Sequence, residues 1–187
     1  MSDFSDEEKK SLLILARSSI ESKIVKGAAV KKPENPSPLL MKKMGCFVTL
    51  HKSNNLRGCI GNIEPVMPLI LGVEENALNA AFHDPRFPKL SKSELPLVNI
   101  EISVLTTPED LKFKDLDDLK QKLKPHLHGV ILSKGFRKAT FLPQVWEQLP
   151  TFESFLSHLC LKAGMSSNCW QDKSISIQVY EAKYFGE

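Results

Sequence analysis

Arg57 and Cys59 stand two residues apart in the run Leu56-Arg57-Gly58-Cys59-Ile60-Gly61, a spacing that puts a guanidinium and a thiol on one face of a strand. A cation beside a thiol favours the thiolate, the form in which cysteine attacks an electrophile or binds a metal. The competing reading is packing, because free cysteine is among the most buried residue types and behaves as a small hydrophobe. Gly58 and Gly61 interrupt the run. Glycine weakens a strand and marks a bulge, or a place where another backbone or a ligand comes close. Arg57 and Cys59 are therefore the candidate catalytic pair, with Gly58 and Gly61 as candidate ligand contacts.

A second cluster is Asp84-Pro85-Arg86-Phe87-Pro88, two charges held by a rigid proline. Arg86 can bind an acidic group while Asp84 holds the loop, or the segment is a helix stop with an Asx-type turn. Arg57 can partner Asp84 or an anionic ligand, or form a surface ion pair worth about 0–1 kcal/mol. His83 beside Asp84 resembles an acid–base pair, yet no nucleophile follows, so a structural role is expected. His126 and His128 sit at strand spacing, but no third ligand falls at a useful interval and no metal is expected. Phosphate-binding loop, nucleophile-elbow and dinucleotide glycine fingerprints are absent, and no cofactor is indicated.

These side chains need elements to position them. Ser5-Asp6-Glu7-Glu8 reads as a capping box, and Leu12, Leu15, Ala16, Ile20 and Ile24 continue at helical spacing to about Lys26. Pro33, Pro36 and Pro38 make an extended connector. Gly45 to Leu50 and Leu56 to Asn62 read as a hairpin. Pro68 starts a second helix whose face of Leu69, Gly72, Val73, Asn76, Ala77, Ala80 and Ala81 suits close packing on a sheet. That helix stops at Asp84, before Pro85. Leu97 to Leu105 is a strand with Val98, Ile100, Ile102 and Val104 on its apolar face. A short helix around Leu119 follows, then strands at Gly129–Ser133 and Ala139–Leu142. A helix over Thr151–Ala163 stops at Gly164, and Ser174–Tyr184 reads as one terminal strand. Interspersed helices and hairpins predict an α+β fold with a largely antiparallel sheet flanked by helices.

Sidedness sets the hairpin register, because a slip of one residue exchanges the faces. A three-residue loop, Ser53-Asn54-Asn55, pairs Lys52 with Leu56, Leu50 with Gly58 and Val48 with Ile60. Cys46, Val48, Leu50, Leu56 and Ile60 then share an apolar face. Phe47, Thr49, His51, Arg57 and Cys59 share the other, with Thr49 opposite Cys59 as a further candidate ligand contact and His51 opposite Arg57. In this register Arg57 or His51 lowers the Cys59 pKa.

With 187 residues the chain can hold one sizeable core or two closely joined subdomains. Its apolar content of 42% and charged content of 25% are those of an ordinary globular protein. No apolar run approaches the ~18 residues that cross a bilayer. Met1-Ser2-Asp3-Phe4-Ser5 is acidic and lacks the basic start and apolar block of a secretory leader. A cytoplasmic location without a membrane partner is expected. A net charge of +3 is too small to imply nucleic acid, and Lys42-Lys43 and Arg137-Lys138 read as solvated surface. Cys46, Cys59, Cys160 and Cys169 form no CxxC pair and are expected to be reduced in a cytosolic setting.

The blocks Gly45–Leu50, Leu56–Gly61, Asp84–Pro88, Glu101–Leu105, Phe141–Pro150 and Lys162–Gly164, in this order and spacing, resemble the AMMECR-type family. They are similar in particular to its bacterial members, called AmmeMemoRadiSam system protein A, and Ala139-Thr140 fits that branch. The resemblance spans about residues 5–185 and implies a single AMMECR-type domain over 1–187, with two unequal subdomains packed as one unit. It makes Arg57 and Cys59 the favoured site, extended here to Asp84 and Arg86. It also implies a Memo-like protein and a radical SAM protein as partners. Two functions follow at similar weight. One is an enzyme component whose Arg57/Cys59 groove handles an anionic small molecule or a modified side chain. The other is a non-catalytic binding or adaptor module that docks a partner protein. RNA binding is a third and weaker reading. The oligomeric state is not legible.

Overall fold

The computed structural model describes residues 4–187, so Met1–Asp3 of the acidic N-terminal stretch lie outside the described residues. In chain order the elements are α1 (Asp6–Ile24), β1 (Cys46–Lys52), β2 (Asn55–Asn62), α2 (Leu69–Phe82), β3 (Val98–Leu105), β4 (Glu109–Asp110), α3 (Leu116–Lys122), β5 (Gly129–Lys134), β6 (Arg137–Phe141), α4 (Phe152–Lys162), β7 (Ser176–Tyr180) and β8 (Ala182–Gly186). They form two four-stranded antiparallel sheets, β2-β1-β3-β8 and β4-β7-β5-β6. The α+β class holds, with two sheets where the sequence suggests one. The chain divides into two compact units: the described residues to Thr107 with Lys183–Glu187, and Pro108–Ala182. No helix among the described residues is long and apolar enough to cross a membrane.

In the first unit, α1 begins at the expected capping box. The Ser5 side chain accepts from the Glu8 N–H, and the Glu8 carboxylate accepts from the Ser5 N–H. Leu12, Leu15, Ala16 and Ile20 are buried. The small face of α2 is buried as its composition requires: Leu69, Gly72, Val73, Asn76, Ala77, Ala80 and Ala81 all point inward. Val98, Ile100, Ile102 and Val104 of β3 complete the same core with Cys46, Val48 and Leu50 of β1.

The hairpin register is right on one side of Gly58 and wrong on the other. Leu50 pairs with Gly58, Thr49 with Cys59 and Val48 with Ile60. Nearer the turn, His51 pairs with Leu56 and Lys52 with Asn55, so Arg57 is the extra residue of a β-bulge. The loop is Ser53-Asn54, both at positive φ (51° and 63°), the two-residue turn whose twist matches its strands. The bulge absorbs the residue that the shorter loop gives up. It moves Leu56 off the apolar face to 42% exposure, and places His51 opposite Leu56 and not Arg57.

In the second unit α4 packs its Phe155 against Trp146, stacked at 3.7 Å between ring centroids, over Val130, Leu132 and Ile177 of the sheet. The run Ser174–Tyr184 is not one strand. Residues of β7 pair with β4 and β5, while β8 joins the other sheet, so two sheets divide one alternating segment. The cysteines are not all reduced: Cys160 and Cys169 form a disulfide with Cα atoms 5.9 Å apart. Gly164, at φ 70°, reverses the chain after α4, and the Met165 N–H returns to the Cys160 carbonyl. That reversal brings Cys169 back to Cys160, a proximity that linear spacing does not reveal. His126 also departs from its strand reading. It has φ 63° ahead of β5, and the His128 Nδ1 accepts from the Lys124 N–H.

Gly58 carries the tightest requirement in the hairpin, because a methyl group there would run into the Ala80 carbonyl oxygen of α2. Gly58→Ala is expected to destabilise the protein by about 2–3 kcal/mol through overpacking. Gly135→Ala, where a methyl group meets nothing but φ is positive, is expected to cost about 1 kcal/mol. Urea midpoints at constant m-value test the difference, and equal losses would place Gly58 in open space.

Candidate functional site

The bulge decides where Arg57 goes. Its side chain turns inward, to 7% exposure, and meets Glu94 through two parallel hydrogen bonds, Nε to Oε1 and Nη2 to Oε2, each 3.1 Å. Nη2 also donates to the Pro88 carbonyl at 2.9 Å, and the guanidinium lies 5.8 Å from the centre of the Phe87 ring. Its Nη1 is enclosed without a hydrogen-bond partner among the described residues. Lys52 reaches the same carboxylate at 3.1 Å, and the Ser91 backbone and hydroxyl donate to it. Arg57 therefore partners Glu94, not Asp84. Glu94 is the residue that sequence reading missed. Its signal was Ser91-x-x-Glu94 ahead of an apolar turn, a capping-box spacing.

Asp84, 4% exposed at the end of α2, joins the loop to the strand. Its Oδ2 accepts from the Cys59 N–H at 2.9 Å. Arg86 donates to the same carboxylate from its backbone N–H, from Nε at 3.0 Å and from Nη2 at 2.7 Å. Nη2 also reaches the Cys59 carbonyl at 3.2 Å. The loop is an Asx-type turn in which Asp84 holds the chain, and Arg86 is paired with Asp84 itself and not with an external acidic group. The pair takes both backbone polar groups of Cys59 on an edge strand, where a neighbouring strand would otherwise bond.

Cys59 is free and half-buried, and its Sγ accepts from the Thr49 hydroxyl at 3.3 Å. Burial pushes its thiol above the ordinary value. The Thr49 hydrogen bond and the Arg86 charge oppose that shift, and the Asp84 and Glu101 carboxylates reinforce it. The expected activation by Arg57 or His51 does not arise, because the bulge takes Arg57 to Glu94. Cys46, fully buried, is pushed up to about 11 by burial. Among the described residues no three His, Cys, Asp or Glu side chains gather as a metal site. His83 approaches Asn79, Nδ1 to Oδ1 at 3.1 Å.

The two candidate ligand-contact glycines have protein neighbours. Gly58 meets the α2 backbone, and a methyl group at Gly61 would enter the Phe47 ring. Thr49, Cys59, Asp84 and Arg86 come together; Arg57, Glu94 and Phe87 form a second, adjoining group that shares the Phe87 ring, 5.5 Å from the Arg86 guanidinium.

Residues 13–185 match the family model described as AMMECR1. A protein of Methanothermobacter thermautotrophicus is 36% identical over 188 residues, covering 98% of this chain and 96% of its own. One from Aquifex aeolicus is 39% identical over 168 residues, covering 86% and 84%. The crystal structure of the uncharacterized protein PH0010 from Pyrococcus horikoshii superposes with a TM-score of 0.90 at 35% identity, covering 98% of this chain and 93% of that one.

The two carboxylates set a pH dependence. The Arg86 hydrogen bonds hold Asp84 well below the usual carboxylate range, and Arg57, then Lys52 and Ser91, do the same for Glu94. A depressed folded-state pKa gives stability that is complete above the unfolded value of about 4 and is lost as pH falls through the folded one. The urea midpoint is therefore expected to drop from about pH 5 to about pH 3, less steeply in Asp84→Asn and Glu94→Gln than in the parent. Equal slopes in all three proteins would remove both carboxylates from the account. Breaking the buried pair by Arg57→Ala is expected to cost about 3 kcal/mol.

Proposed function

The chain belongs to the AMMECR1 family, and from that premise we propose that it is a non-catalytic docking module of an AmmeMemoRadiSam-type system, presenting the Asp84–Phe87 loop on the edge of β2 to a Memo-like protein. The observation that carries this reading is the double hold of Asp84 and Arg86 on the Cys59 backbone. It fixes a charged aromatic ledge in advance of binding, which lowers the ordering cost of association. The Arg86 side chain stays 54% exposed in that hold, beside the partly exposed Phe87. Arginine and aromatic residues on a rigid support are the types that dominate interface energetics.

The enzyme reading draws less support from the same atoms. A nucleophilic cysteine needs a lowered pKa or an adjacent base, and Cys59 has a raised one with a hydroxyl as its side-chain neighbour. Thiol labelling separates the two readings. Cys59 in the native protein is expected to alkylate with a pH midpoint above the free-thiol value of about 8.5. A midpoint near neutrality would restore the nucleophile.

Docking is tested by calorimetry with the purified Memo-like protein of the same genome. Arg86→Ala and Phe87→Ala are expected to weaken binding at least about tenfold, and Cys59→Ser to leave it within about threefold. Circular dichroism confirms that each variant is folded. Affinity indifferent to both Arg86 and Phe87 would remove this surface from the interface, and no binding by the parent would remove the partner.

A further inference from the structure

A cavity of about 650 Å³ opens between the last turns of α1 and α2 and the segment at Lys89-Leu90, all within the first unit. Its size falls in the range of small-molecule sites. Ile24, Leu78, Phe82 and Leu90 supply an apolar wall from three separate segments of chain. Lys23 and Lys89 are exposed on its rim, and neither ammonium group forms an ion pair or hydrogen bond among the described residues. Glu75 is the one carboxylate in the lining, against these two cations. His83 adds a polar tip. Its Nδ1 is engaged with the Asn79 Oδ1 at 3.1 Å.

We infer that this cavity is a binding site for a small apolar monocarboxylate, whose chain lies on Ile24, Leu78, Phe82 and Leu90 while its carboxylate meets Lys23 and Lys89. The apolar wall supplies burial and the two lysines supply the choice of charge. A neutral or cationic molecule of the same shape gains the first without the second; the carbonyl ends of both helices and the Glu75 carboxylate oppose an anion, so the choice of charge rests on the two lysines outweighing them. Discrimination by charge is therefore the mark of this site. The site is independent of the docking surface proposed above, and neither reading depends on the other.

The test uses the full chain with three probes of one size: octanoate, octan-1-ol and octylammonium. Side-chain methyl NMR is expected to show octanoate shifting the Ile24, Leu78 and Leu90 signals, with a dissociation constant of roughly 1 mM for so small a ligand. Octan-1-ol is expected to bind at least about fivefold more weakly, and octylammonium more weakly still. The double variant Lys23→Gln/Lys89→Gln, changed only at exposed positions, is expected to bind octanoate no better than octan-1-ol. Leu78→Trp, which fills the cavity, is expected to abolish the shifts. The inference is overturned if octan-1-ol or octylammonium binds as well as octanoate, if the lysine variant keeps the preference, or if the shifted methyls lie elsewhere.

Discussion

A single buried carboxylate, Asp84, ties the end of α2 to the edge of β2, and the arrangement of the Cys59 region depends on it. An edge strand exposes unpaired N–H and C=O groups that invite another chain. Here the Asp84 carboxylate takes the Cys59 N–H and the Arg86 guanidinium takes the Cys59 carbonyl, so side chains stand where a neighbouring strand's backbone would. The hold works because α2 can approach closely. Its small face lets the Ala80 carbonyl rest against Gly58, and that close approach brings Asp84, past the end of α2, within reach of the Cys59 N–H. Arg86 in turn balances the charge that Asp84 buries, through contacts within two residues of sequence.

The bulge at Arg57 is the second constraint, and it separates two groups of charge that an unbroken strand would merge. With regular pairing, Arg57 and Cys59 would share a face and the guanidinium would act on the thiol. With the extra residue at Arg57, the guanidinium goes to Glu94 and the Phe87 ring, and Cys59 keeps Thr49 as its side-chain partner. Lys52 and Arg57 then act on one carboxylate, and Arg86 acts on another. At Cys59 burial is the largest influence and raises the thiol; the Thr49 hydrogen bond and Arg86 oppose it, and Asp84 and Glu101 reinforce it.

Much of this was legible in the sequence because it rests on local rules. Side-chain size along Leu69–Ala81 identified the buried face of α2, alternation over Val98–Val104 identified the inner face of β3, and the capping box fixed the start of α1. The register from Gly58 to Asn62 followed from sidedness. What escaped was decided by distant or competing contacts. Ser53-Asn54 and Ser53-Asn54-Asn55 are both acceptable turns by composition, and the choice between them rests on where a bulge can be absorbed. Glu94 lies 37 residues from Arg57, with no periodic relation to it. The segment Ser174–Tyr184 reads as one strand from its alternation, and β7 and β8 within and beyond it go to different sheets. The Cys160–Cys169 bridge depends on the reversal at Gly164.

The charge pairing also bears on what chemistry the Cys59 region can support. Arg57 and Arg86 each already have a carboxylate partner, and the largest influence on the thiol is desolvation, which favours the protonated form. A cation brought against Sγ, or a group that draws Arg86 away from Asp84 towards the thiol, would lower the Cys59 pKa. A docked partner can provide either, because Arg86 is the member of the network that solvent already reaches. Within the docking reading proposed above, a partner that engages Arg86 is therefore the one able to change the charge that faces Sγ.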